Sequence, residues 1–121
     1  MACPWFNPLS EADFAARPRP ARAPLGTVFD GTCEAHPAAA FRPSDELLYG
    51  ACNFGYGRGR CPAFPDGSEA DAVRFTAIGE RTVWILERDY TPVQHGSFDE
   101  PFPSELLERQ AQAFKRECLK R

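Results

Sequence analysis

Two stretches of the chain have a regular pattern of apolar positions. Val73–Ile78 and Thr82–Arg88 are rich in β-branched and aromatic residues and are separated by Gly79-Glu80-Arg81. This predicts a β-hairpin. In its second strand Val83 and Ile85 share one face and Trp84 and Leu86 the other. Both faces are apolar, so this strand is expected to be covered on both sides. Near the C-terminus, Leu107, Ala111, Phe114 and Cys118 recur at helical spacing behind Ser104, with Glu105 and Glu108 at the start and basic residues at the end. That predicts a capped helix with one apolar stripe. It also gives Cys118 a plain role as a small buried hydrophobe.

The rest of the chain is less periodic. Pro43-Ser44-Asp45-Glu46 opens a helix with Ser44 as cap, which carries Leu47, Leu48 and Ala51 and ends near Cys52, ahead of Gly55, Gly57 and Gly59. Ser10 and Asp13 suggest a two-turn helix limited by Pro18, followed by an extended segment over 17–24. Thr27–Phe29 is a short strand candidate, ended by the turn pair Asp30-Gly31. Residues 62–72 and Tyr90–Pro103 are expected to be loop. The expected fold class is α+β: one domain over residues 1–121, with a small antiparallel sheet centred on the 73–88 hairpin and a C-terminal helix. Within it, residues 1–65 form an irregular half that bears the cysteines, and residues 66–121 hold the hairpin and helix.

Composition narrows the function classes. The 121 residues are 43% hydrophobic and 26% charged, with 12 prolines. That is globular, with much irregular backbone. A net charge of −3 offers no general attraction to nucleic acid or to an anionic membrane. No apolar run approaches the length of about 20 residues that spans a bilayer. Residues 1–8 show neither a basic n-region nor a long apolar h-region, so the expected compartment is the reducing cytoplasm. Five cysteines in such a chain need a chemical reason.

With Cys118 assigned to the helix stripe, Cys3, Cys33, Cys52 and Cys61 remain. Four thiolates are the complement of a structural zinc or an iron–sulfur cluster. Zinc sites usually draw on close C-x₂₋₄-C pairs. Here the gaps are 29, 18 and 8 residues, which suits a cluster better, [4Fe–4S] first, with zinc as the alternative metal. Cys3 and Cys61 each precede proline, a pairing also found in ferredoxin cysteine runs. Between Cys52 and Cys61, Gly55, Gly57 and Gly59 would let amides approach sulfur, and Arg58 and Arg60 would offset the negative charge of the centre. His36, in Cys33-Glu-Ala-His36, is a substitute ligand for a Cys₃His site, although an exposed residue before Pro37 is the default. His95 reads as a loop residue.

Residues 52–65, Cys-Asn-Phe-Gly-Tyr-Gly-Arg-Gly-Arg-Cys-Pro-Ala-Phe-Pro, resemble a C-N-x-G-Y-x-x-G-x-C-x-x-F-P motif of small uncharacterised bacterial proteins with further cysteines upstream. The resemblance implies that Cys52 and Cys61 act together. It implies no activity.

Other readings compete. The glycine loop is G-x-G-x-G, follows a helix and is bracketed by cysteines, which departs from a dinucleotide fingerprint. A nucleophilic cysteine is conceivable at Cys33 beside His36, or at Cys61 beside Arg58 and Arg60, but no catalytic set is legible, so an enzyme is not indicated. A metal-free protein with a reactive or redox-sensing Cys52–Cys61 pair is a further alternative. Tyr49, Phe54, Tyr56 and Phe64 could form a partner surface, but packing around the cysteines is the simpler account. A protein partner is left open.

Overall fold

The computed structural model describes residues 1–12, 14 and 23–119. Two antiparallel sheets and a C-terminal helix make an α+β fold. A two-stranded sheet pairs β1 (Phe6–Glu11) with β2 (Phe29–Cys33). A three-stranded meander follows, ordered β3 (Ala72–Ile78), β4 (Arg81–Arg88) and β5 (Thr91–Ser97). Between the sheets lie a 3₁₀ turn (Pro37–Ala39) and a short helix, α1 (Asp45–Leu47), which widens into a π-helical turn at Leu48–Cys52. The chain closes with α2 (Glu105–Leu119).

The hairpin forms as the pattern predicts, with Phe75 opposite Trp84 and Val73 opposite Leu86. These four side chains face the core. The opposite face of β4 differs from expectation. Val83 and Ile85 are only half-buried, and Ile78 is 64% exposed. One face of this sheet is therefore packed, as is common in antiparallel sheets. The third strand was expected to be loop because of its prolines. Asp89 and Tyr90, with φ of 50° and 64°, make the tight turn that returns the chain. Pro92 is tolerated because β5 is an edge strand and the register shifts between Leu86 and Glu87.

The first half departs further from local expectation. Ser10 lies within β1 rather than capping a helix, and residues 13 and 15–22, which hold most of the expected helix and of the stretch expected to be extended, lie outside the described residues. Asp30 and Gly31 continue β2 instead of ending it. The glycine serves close approach: a Cβ at Gly31 would collide with the Asn7 carbonyl oxygen. The pairing of β1 with β2 outweighs the turn preference of Asp-Gly.

Both helix caps are as predicted. The Ser44 hydroxyl accepts from the Leu47 amide at 3.3 Å, and Ser104 from the Leu107 amide at 3.1 Å. On α2, Leu107 and Ala111 are buried, and Phe114 stacks on Phe75 with ring centroids 5.5 Å apart. Cys118 corrects the sequence expectation. It is exposed, at the edge of a surface groove it lines with Phe75 and Phe114. One core joins both halves, from Ala2, Phe6 and Leu48 to Val73, Trp84 and Leu107. Among the described residues no helix is long and apolar enough to cross a membrane.

Candidate metal centre

Each of the four remaining cysteines comes from a different segment, and each segment is placed by identifiable bonds. Ala2 forms an antiparallel bridge with Val73, at 2.7 and 2.8 Å, which fixes the start of the chain against β3. Cys3 follows, and its amide donates to the Cys52 carbonyl at 3.0 Å. Gln110 of α2, fully buried, donates from Nε2 to the carbonyls of Cys3 (2.8 Å) and Phe6 (2.7 Å). Cys33 ends β2, where its amide donates to the Phe41 carbonyl at 2.8 Å. The next amide, of Glu34, donates to Trp5.

Cys52 sits on the π-helical turn. This turn is held by Asn53, which is fully buried. Its side-chain amide donates to the carbonyls of Phe29 (3.0 Å) and Leu48 (2.7 Å), while its Oδ1 accepts from the Phe29 amide at 2.8 Å. One side chain thus ties the strand carrying Cys33 to the turn carrying Cys52. Cys61 closes a loop in which the Gly57 carbonyl accepts from the amides of both Arg60 and Cys61.

These segments bring Cys3, Cys33, Cys52 and Cys61 to the wall of one small chamber. The rest of the wall is apolar, including Trp5, Phe6, Phe41 and Phe64. Its volume is about 20 Å³, slightly more than one water molecule needs. Among the described residues no three or more His, Cys, Asp or Glu side chains group as ligands for one metal ion.

Burial sets the chemistry of the thiols. It pushes Cys3 up to about 12 and raises Cys33 and Cys52 as well, and the neighbouring cysteines add to the effect. Backbone hydrogen bonds oppose it: the amides of Trp5 and Phe6 serve Cys3, and that of Ala35 serves Cys33. Such amides stabilise thiolate sulfur and recur around metal–thiolate centres. Without a cation, however, these buried thiols stay protonated.

The glycine–arginine loop contributes differently from the sequence reading. Gly57 lines the chamber. Gly55 does not; its φ of +75° and its approach to the Met1 and Ala2 carbonyls seat the N-terminal segment. Gly59 faces open space. Arg58 Nε binds Asp71 at 2.6 Å and its guanidinium lies over Phe64. Burial alone would raise the Asp71 carboxyl, but Arg58 and the Asp89 amide hold it below its usual range. Arg60 spans the carbonyls of Gly50, Gly55 and Tyr56. Both arginines brace the loop and are absent from the chamber wall.

His36 is exposed before the 3₁₀ turn and does not line the chamber, and His95 lies on exposed β5. Of the four aromatics, only Phe64 reaches the wall; Tyr49 packs with Phe54 and Tyr56 stacks on Tyr90. Sequence reasoning missed Asn53 and Gln110. Gln110 did leave a signal, since it falls on the apolar face of α2 beside Leu107 and Ala111. A polar residue at such a position is expected to be buried and bonded.

No protein-family model, curated protein or solved structure matches this chain.

Proposed function

We propose that this protein holds an iron–sulfur cluster, [4Fe–4S], on Cys3, Cys33, Cys52 and Cys61. One observation carries the reading: four distant segments each bring one cysteine to the wall of a single small apolar chamber. One ligand per segment suits a cubane core, whose four irons each take one thiolate. The apolar wall supplies the dry surroundings that tune such a centre. The likeness of residues 52–65 to a bacterial cysteine motif is in keeping with Cys52 and Cys61 working as a pair. The role is structural, because the centre ties four segments together, and electron exchange is available at the edge where Cys61 is partly exposed. A reducing compartment, the cytoplasm, suits five free thiols. Nucleophilic chemistry fits poorly, since reactive cysteines need a lowered pKa and burial raises three of these.

The test is metal and sulfide analysis of protein purified without oxygen, together with its visible spectrum. The expected result is about four irons and four sulfides per chain, with a broad visible absorption that dithionite bleaches. Zinc alone, near one per chain, would instead assign a structural zinc site. A colourless protein with neither metal would overturn both.

A further inference from the structure

The four cysteines are not equivalent. Cys3, Cys33 and Cys52 are buried, with exposures of 9%, 8% and 6%, whereas Cys61 is partly exposed. The backbone divides them in the same way. Cys3 is bonded to Cys52, Cys33 to Phe41, and their neighbours Trp5 and Glu34 to each other. Asn53 and Gln110, both fully buried, lock these three segments from behind. Among the described residues, the backbone of Cys61 bonds within its own loop, to Gly57 and Phe64. Next to it, Gly59, Arg60 and Pro62 are exposed.

Resting on the cluster reading above, we propose that Cys61 marks a labile corner: a one-electron oxidant expels the iron that Cys61 holds, and the three buried cysteines retain the remainder. Three ligands fixed by cross-bonded backbone resist displacement. The fourth sits on a solvent-facing loop held by the side chains of Arg58 and Arg60, not by backbone bonds to the other three segments, so its iron is the one water reaches first. The step balances. A [4Fe–4S]²⁺ core gives up one electron to ferricyanide, which becomes ferrocyanide, and releases one Fe²⁺ to leave [3Fe–4S]⁺. The bond from iron to Cys61 Sγ breaks, as do that iron's bonds to three core sulfides. The freed thiolate takes a proton from water. The protein would thereby respond to oxidants by shedding one iron of four while keeping its fold, and the vacated corner would take up ferrous iron again under reducing conditions.

The test starts from anaerobically purified protein whose iron and sulfide content is known. One equivalent of ferricyanide is added, released ferrous iron is measured with a colorimetric chelator, and the cluster is followed by electron paramagnetic resonance. The expected result is loss of one iron in four, no loss of sulfide, and the spectrum of a three-iron cluster that disappears when ferrous iron and dithionite are added. Cys61→Ser is expected to retain a three- or four-iron cluster, whereas Cys52→Ser retains none. Loss of all four irons together, or an oxidised protein that keeps all four, would overturn the proposal and leave the cluster reading standing. Absence of iron and sulfide from the untreated protein would overturn the cluster reading itself. The wild-type oxidation keeps the test decisive if a variant fails to fold.

Discussion

At Cys3 two local effects oppose each other. Burial favours the neutral thiol and lifts it to about 12, while the Trp5 and Phe6 amides favour the thiolate. In the metal-free protein burial dominates, and this has a measurable consequence. The unfolded thiol ionises near 9 and the folded one does not. Above about pH 9 the unfolded chain therefore holds fewer protons than the folded one, and stability falls as pH rises. Each such thiol contributes a slope of about 1.4 kcal/mol per pH unit, ending where the folded thiol ionises. The metal-free protein is expected to lose urea resistance progressively from about pH 9 upward, and Cys3→Ala to flatten that decline. The cluster-loaded protein is expected to lack it, because bound thiolates have already lost their protons. A flat profile for the metal-free chain would show that these thiols are less buried than the chamber implies.

At the scale of elements, the decisive joints are made by buried amides. Asn53 connects β2 to the π-helical turn through three hydrogen bonds. Replacing it with leucine leaves the Phe29 amide and carbonyl without those partners, at a cost of about 3 kcal/mol. Asn53→Leu is expected to lower the denaturation midpoint and also the iron bound per chain. Ser104→Ala should cost only about 1 kcal/mol through the lost cap, with cluster content unchanged, since α2 reaches the site through Gln110 two turns further on. Equal cluster loss in both variants would mean that global stability, not the Asn53 joint, governs assembly. These joints also explain which elements were legible in sequence. The hairpin and the two caps depend on neighbours a few residues apart. The strand containing Asp30-Gly31 depends on Asn7, whose carbonyl meets the glycine face, and no local preference could announce that.

For the whole molecule, the chamber is a place where distant segments meet, so binding of the proposed cluster and local order should be coupled there. The three-stranded meander contributes no residue to the chamber wall. Cluster removal is therefore expected to affect hydrogen exchange unevenly. Amides of Phe75, Trp84 and Leu86 should stay protected, whereas those of Cys3, Glu34 and Cys61 should exchange faster by at least about tenfold, or about 1.4 kcal/mol of local stability. Uniform loss of protection across β3–β5 would show that the centre stabilises the entire fold as one unit.

What the sequence determined by itself was local or chemical: the 73–88 hairpin, the caps at Ser44 and Ser104, the stripe on α2, and four cysteines of the type that ligates metal. Turn residues, capping hydroxyls and apolar spacing act over a few positions, so they can be read directly. The tertiary structure decided the rest. It placed Cys3, Cys33, Cys52 and Cys61 around one chamber, left Cys118 and His36 outside it, and turned Arg58 and Arg60 to Asp71 and to backbone carbonyls. It also made Cys61 the least buried member of the set. Those outcomes depend on contacts between residues far apart in the chain, where burial and backbone pairing outweigh what any short stretch prefers.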